Sequence, residues 1–296
     1  MKTKLNEILS TEILLPTEIA GESTMQQRKL LPQWLISGIL TKVHSWKRYN
    51  NLQSYCIFIG YPRSGHSLIG SIIDAHENAT IAHELDVLQF INQPLSFNKY
   101  QLFELISKNA NEFAKKGRYW SNYSYHVPNS SQGRSDKLLL IGDKKGGITT
   151  KHLIHNPQLL DDLQKTIELP LKIIHVIRNP FDNIATISIR TGISIEEATK
   201  QYQESAITNQ EVIDSNLHVL NVYHEDIISN PKQVINEIFT YFGLPTHQAL
   251  VKNIADIIYS SPHQSRREIN WNTKQKKTIN DMIDKISFLE RYTFNT

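Results

Sequence analysis

The stretch from Tyr55 to His76, YCIFIGYPRSGHSLIGSIIDAH, constrains this chain more than any other. An apolar run with β-branched and aromatic residues, Tyr55 to Ile59, enters a turn punctuated by Gly60, Pro62, Ser64 and Gly65. Apolar residues at helical spacing, Leu68, Ile69, Ile72 and Ile73, leave it. The order predicts strand, loop and helix. The spacing of Gly60, Gly65, His66 and Ser67 follows the phosphate-loop pattern G-x-x-x-x-G-K-[ST], with His in the place of Lys. Glycines let the N–H groups of such a loop converge on an anion, and the helix that follows points its positive end at the same spot. Arg63 offers a planar cationic fork where the Lys is missing. Taken alone, the stretch also reads as an ordinary strand-to-helix turn that contains glycine.

At 296 residues the chain has the length of one large α/β domain. Its formal net charge of +3, with no dense Lys/Arg run, does not point to nucleic acid and suits a small polyanionic ligand. The single cysteine, Cys56, falls inside the first apolar strand; it reads as a buried small residue and leaves no disulfide framework or cysteine metal site. Residues 1–50 lack a secretory pattern and a run of membrane-spanning length, so no integral membrane segment and a cytoplasmic location are expected. Leu35, Ile36, Ile39, Leu40, Val43 and Trp46 share one helical face. Residues 1–50 are therefore read as a helical extension packed on a domain spanning 51–296.

Further strands are predicted at Thr80–Leu85, Leu138–Ile141, Lys172–Ile177 and Leu217–Tyr223, with helical stretches between them. Each strand runs into a polar cluster: His83-Glu84, Gly142-Asp143-Lys144-Lys145, Arg178-Asn179-Pro180 and His224-Glu225-Asp226. Residues 99–115 carry helical periodicity, and Ser194-Ile-Glu-Glu opens a helix to about Ser215. This pattern describes a single-domain α/β fold, a parallel sheet flanked by helices with its site along the carboxyl edge. The segment after the 99–115 helix, RYWSNYSYHVPNSSQGRSD, has no period; Tyr119, Trp120, Tyr123 and Tyr125 tilt its reading from a plain excursion towards a binding surface. Arg178, with Thr186 eight residues on, offers a second anion pocket, unless it is a surface ion pair. Two anion pockets on one sheet edge suggest a nucleotide phosphorylated at both ends. Asp143 at the end of Leu-Leu-Leu-Ile-Gly could imitate a magnesium-holding carboxylate, which keeps a small-molecule kinase using ATP as an alternative, alongside a non-catalytic nucleotide-binding protein.

With these residues in place the chain resembles the sulfotransferases that use 3′-phosphoadenosine 5′-phosphosulfate. Tyr61-Pro-Arg-Ser-Gly-His-Ser matches that family's loop for the 5′-phosphosulfate, and Arg178-Asn-Pro with Thr186 matches its 3′-phosphate motif. Tyr223-His-Glu-Asp-Ile, Asn230-Pro and Phe242-Gly-Leu-Pro resemble a late block of the family, so that the resemblance runs over about residues 55–245. It implies the family's phosphate-loop fold and sulfuryl transfer from that donor, without a metal, to a hydroxyl or amine of a small-molecule, glycan or peptide acceptor. It also implies donor contacts at Arg63, Ser64, Gly65, His66, Ser67, Leu68, Arg178, Thr186 and His224. His66 stands where the family usually has Thr, and His224 where many members have Tyr near the adenine. Glu84, which follows Arg63 by 21 residues, matches the general base of tyrosylprotein sulfotransferases. His83 and His66 are alternative bases, and strand alternation would place His83 and Glu84 on opposite faces. Arg63 and Lys144 are the cations expected to stabilise charge on the transferring group. Arg266-Arg267 with Trp271 and the amphipathic stretch after them resembles the segment that closes over the donor.

Overall fold

A computed structural model describes residues 46–91, 97–133, 135 and 137–296. The apolar face read between Leu35 and Val43 therefore lies outside the described residues. Where the description begins, Tyr49 is buried and its hydroxyl meets Ser107 Oγ at 2.9 Å. The elements are β1 (Ser54–Gly60), α1 (His66–Asp74), β2 (Ala79–His83), a 3-10 turn (Val87–Phe90), α2 (Lys99–Lys115), β3 (Tyr119–Trp120), β4 (Tyr123–Ser124), β5 (Leu140–Lys144), α3 (Gly147–His155), α4 (Leu159–Ile167), β6 (Leu171–Ile177), α5 (Pro180–Thr191), α6 (Ile195–Ile213), β7 (His218–Tyr223), α7 (His224–Ser229), α8 (Pro231–Phe242), α9 (Gln248–Ala255) and α10 (Thr273–Ile283).

Five strands form one sheet in the order β2-β5-β1-β6-β7, and every neighbouring pair is parallel. Parallel strands need helical crossovers, which cover both faces and make the central strands apolar throughout. The central strand β1 is buried at every position. Its alternation divides the core: Tyr55, Ile57 and Ile59 face the layer of Phe103, Ile106, Leu160 and Leu163, whereas Cys56 and Phe58 face Ile69, Ile72, Ile73, Ile238 and Phe239. A third cluster, with Tyr61, Phe181, Ile184, Tyr202 and Ile283, packs α5, α6 and α10 beyond the carboxyl end of β1.

Three local readings are refined by the structure. The strand expected at Leu138–Ile141 begins at Leu140 and runs on through Gly142, Asp143 and Lys144, because pairing with β1 and β2 carries the polar residues into the sheet. The aperiodic aromatic segment contains a short antiparallel hairpin, in which Tyr119 pairs with Ser124 and Trp120 with Tyr123. Glu84 stands outside β2 with φ 60°, so the strand alternation that would oppose it to His83 does not reach it. Among the described residues, no helix is long and apolar enough to cross a membrane.

Candidate active site

All five strands of the sheet end on one edge, and the polar residues that follow them gather there. After β1 the chain turns through Arg63 (φ 68°) and Gly65 (φ 103°), and α1 begins at His66 without a side-chain cap. The first N–H groups of a helix have no acceptor within the helix, so this end presents donors and a positive dipole. Arg63 is exposed and Ser64 is buried.

The His66 imidazole turns inward. Its Nε2 meets the Ile59 carbonyl at 3.1 Å and its Nδ1 meets Ser64 Oγ at 3.1 Å. Burial pushes its pKa down to about 4, so the ring is neutral at physiological pH. A neutral ring that donates from Nε2 to Ile59 accepts at Nδ1, and the Ser64 hydroxyl shares its proton between that nitrogen and the Tyr61 carbonyl at 2.9 Å. Gly60 and Gly146 make room for the ring: a Cβ on Gly60 would lie 2.7 Å from it, and one on Gly146 2.6 Å. At this position the loop can offer a ligand its backbone N–H, while the side chain fastens the loop to β1.

Lys144, at the end of β5, is 1% exposed and lies beneath α1, where a Cβ on Gly70 would meet its Cγ at 3.0 Å. Its ammonium donates to Ser67 Oγ at 3.1 Å and pairs closely with the Glu84 carboxylate. Lys145 Nζ stands 3.2 Å from the other carboxylate oxygen of Glu84. Burial alone would raise the Glu84 pKa, but Lys144 and then Lys145 outweigh it and hold the carboxyl below its usual range. Burial likewise pulls the Lys144 ammonium down, opposed by Glu84. Glu84 is held in place from below. Its N–H donates to the Lys144 carbonyl at 3.0 Å, and Asp143 accepts from Val87 N at 2.8 Å and Leu85 N at 3.3 Å. The Asp143 carboxylate thus anchors the Glu84 loop, which accounts for it otherwise than as a magnesium ligand. His83 stacks on Phe113 at 3.9 Å, and burial followed by Lys144 drives its pKa to about 3.

The second pocket forms at the end of β6. Arg178 is 6% exposed, which overturns the surface ion-pair alternative. One guanidinium nitrogen donates to Thr186 Oγ1 at 3.3 Å and to the Arg63 carbonyl at 3.3 Å, the other to the His263 carbonyl. Its Nε has no acceptor among the described residues. The acidic groups nearest in its field are engaged elsewhere: Asp182 pairs with buried Arg266, and Glu225 accepts from Asn179 N at 2.9 Å and from the Tyr292 hydroxyl at 2.6 Å. Arg178 is therefore a buried cation held by neutral oxygens, an arrangement that leaves its charge for an anion. His224 lies between the pockets, with its Nδ1 2.7 Å from where a Gly65 Cβ would be. Burial and then Arg178 lower its pKa to about 3. Of the C-terminal arginines, Arg266 is tied to Asp182 and to the Thr296 carbonyl at 2.6 Å, whereas Arg267 is exposed.

The structure thus brings Arg63, Ser64, Gly65, His66, Ser67, Leu68, Glu84, Lys144, Arg178, Thr186 and His224 to one edge, with the His66 ring turned away from it. Sequence reasoning missed Lys145 as a partner of Glu84, and missed the closure of the second pocket by His263 and Ser265, whose hydroxyl meets Thr186 Oγ1 at 2.8 Å. No signal in the sequence pairs positions 79 or 85 residues apart.

A parallel sheet with an uncapped, glycine-bearing loop at its centre and a buried arginine beside it defines a phosphate-loop α/β protein. A family model described as the sulfotransferase family matches residues 57–248, and the chain belongs to that family. Comparison with curated proteins finds no match. Among solved structures, the sulfotransferase domain of the Synechococcus PCC 7002 olefin synthase is similar at 16% identity, over 79% of this chain and 94% of that one, with a TM-score of 0.49. The sulfotransferase domain from the curacin biosynthetic pathway gives 14% identity, 80% and 98% coverage and a TM-score of 0.49. Mouse sulfotransferase SULT7A1, complexed with PAP, gives 12%, 83% and 93%, and 0.43.

Proposed function

We propose that the protein, as a member of the sulfotransferase family, takes its sulfuryl group from 3′-phosphoadenosine 5′-phosphosulfate and passes it to an acceptor hydroxyl or amine. The observation that carries this reading is Arg178: a buried guanidinium without an ion-pair partner among the described residues, hydrogen-bonded through its own Nη1 to the Arg63 carbonyl of the first loop. One side chain thereby ties two anion-suited pockets together, as a nucleotide with separate 5′ and 3′ charges requires. The unacceptored Arg178 Nε and the uncapped start of α1 fit such a ligand.

In this reading Arg178 and Thr186 hold the 3′-phosphate, His224 borders the nucleoside, and Arg63 with the N–H groups of residues 64–68 holds the 5′ end. Sulfuryl transfer forms a bond from acceptor oxygen to sulfur and breaks the bond from sulfur to the 5′-phosphate oxygen, which keeps the electron pair. The residues contribute position and charge. Lys144 and Arg63 stabilise the negative charge that grows on the leaving phosphate. Glu84, kept ionised by Lys144 and Lys145, takes the acceptor proton. His66, buried with a pKa of about 4, and His83, half-buried against Phe113 with a pKa of about 3, are less suited to that role.

Titration of the protein with adenosine 3′,5′-bisphosphate without metal, adenosine 5′-monophosphate and magnesium-ATP tests the donor. A ligand that binds the native state raises apparent stability by mass action. The bisphosphate is expected to raise the melting temperature far more than the other two, and labelled donor to yield labelled acceptor. Equal shifts from bisphosphate and monophosphate would remove the 3′ pocket, and phosphoryl transfer from magnesium-ATP would replace the reading by a kinase.

A further inference from the structure

The aromatic hairpin over the site has no part in donor binding as described above. Its two faces differ. Trp120 and Tyr123 are directly paired across the strands and so share a face, whereas Tyr119, paired with Ser124, lies on the other. Trp120 packs against His83 and Tyr123 beside Tyr125, so that face looks towards the protein, yet Trp120 remains 45% and Tyr123 44% exposed. Both are open to solvent. Trp120 meets His83, the neighbour of Glu84, edge-on at 5.2 Å, and Tyr123 lies 6.4 Å from Tyr125, which reaches Ser67 in the first turn of α1. Tyr259, beyond α9, stands 6.1 Å from Tyr123 and is 67% exposed.

The hairpin is braced. Ser121 and Asn122 take left-handed φ values of 50° and 70°, as a tight two-residue hairpin turn demands. Asp74 binds Arg118 and also accepts from Ile81 N at 2.7 Å and Gly133 N at 3.0 Å, and the Arg118 carbonyl accepts from Tyr125 N at 3.0 Å. Large aromatic side chains kept wet on a rigid support, beside groups placed for transfer, mark a binding surface.

We propose that Trp120, Tyr123 and Tyr259 form the acceptor wall, and that the acceptor is a saccharide whose ring faces stack on them while one hydroxyl reaches Glu84. This rests on the sulfotransferase reading for the identity of the transferred group. Each of the three rings carries a polar edge atom and is about half in water or more, which suits a ligand with apolar faces and hydroxyl edges; a hydrocarbon acceptor calls for dry walls.

Saturation-transfer NMR on the full chain, with adenosine 3′,5′-bisphosphate present and absent, tests the wall without requiring turnover. The probes are a panel of methyl glycosides, phenol and glycerol. Methyl glycosides are expected to receive saturation at their ring protons, glycerol to receive none, and phenol less than the glycosides. Trp120→Ala, Tyr123→Ala and Tyr259→Ala should each weaken glycoside binding about two- to tenfold. Tyr119→Ala, on the same hairpin but the opposite face, should leave it unchanged. Bisphosphate affinity should be the same in the Trp120, Tyr259 and Tyr119 variants, which separates this proposal from the donor reading; Tyr123 lies within the field of Arg178 and is left out of that comparison. Glycoside binding unaffected by Tyr123→Ala and Tyr259→Ala, equal loss in Tyr119→Ala, preference for phenol, or no glycoside binding at all would overturn it.

Discussion

Lys144 and Ser67 meet at 3.1 Å, ammonium to hydroxyl, across the junction between the end of β5 and the first turn of α1. Through this contact the buried Lys144 joins Glu84 to the anion loop, so that the carboxylate proposed as base and the donors proposed to hold the leaving group share one cation. Lys144 can sit there because α1 carries glycine at position 70, directly over its stem.

Replacing Glu84 by Gln keeps size and hydrogen bonding but removes basicity. Turnover is expected to fall about a hundredfold or more, while bisphosphate affinity stays near that of the wild type. The change also deprives Lys144 of its counter-charge, which lowers the Lys144 pKa further. A pH profile separates the two effects: activity that returns at lower pH would trace the loss to Lys144, and activity low at every pH assigns the base to Glu84.

Arg178→Ala removes a charge-assisted contact worth about 1.5–3 kcal/mol, roughly ten- to a hundredfold in bisphosphate affinity. Binding of adenosine 5′-monophosphate should scarcely change. The variant loses the hydrogen bonds to the Arg63 and His263 carbonyls and to Thr186 but is relieved of a buried charge without an ion pair among the described residues, so the melting temperature of the free protein should change little. Arg63→Ala should instead lower turnover at saturating donor. Calorimetric titration of both nucleotides into both variants checks the division.

Burial raises the Asp143 carboxyl from 3.8 to about 7. Between those values the folded chain holds a proton that the unfolded chain has released, so this group's contribution to stability declines as pH rises through the window. Asp143→Asn does not titrate. Its stability relative to the wild type should increase with pH from about 4 to about 7, as measured by urea unfolding at several pH values. Parallel curves for the two proteins would mean that Asp143 stays ionised.

Gly146→Ala places a Cβ 2.6 Å from the His66 ring at a backbone φ of 57°. We expect a loss of about 1–3 kcal/mol from backbone strain, with the steric clash added to it. In the double variant with His66→Ala the clash disappears and the strain remains, so the two losses should sum to more than the loss in the double variant. Unfolding of the four proteins of this cycle measures the coupling; strict additivity would show that the ring moves aside without cost.

Much of the fold was legible in the sequence because its signals are local. The apolar run of Tyr55–Ile59, the glycines of the loop and the helical spacing of Leu68 to Ile73 lie within one strand-loop-helix unit, and the polar clusters that end successive strands place the site on one edge. Arg178 and Thr186 are one such local pair, a strand end and the second turn of the helix that follows, and they meet as their spacing suggests. Tertiary structure alone decided what state these groups are in. Whether Arg178 is a paired surface cation or an unpaired buried one depends on Arg266 taking Asp182 and on Tyr292 and Asn179 taking Glu225, contacts between residues 46 to 84 apart. Glu84 and Lys144 are 60 residues apart and meet because β2 and β5 are sheet neighbours, an order that no strand announces. His66 occupies the place of a phosphate-binding lysine in the sequence pattern, yet its ring is folded against Ile59, since only the packed surroundings set the cost of charging a side chain and the partners that can repay it.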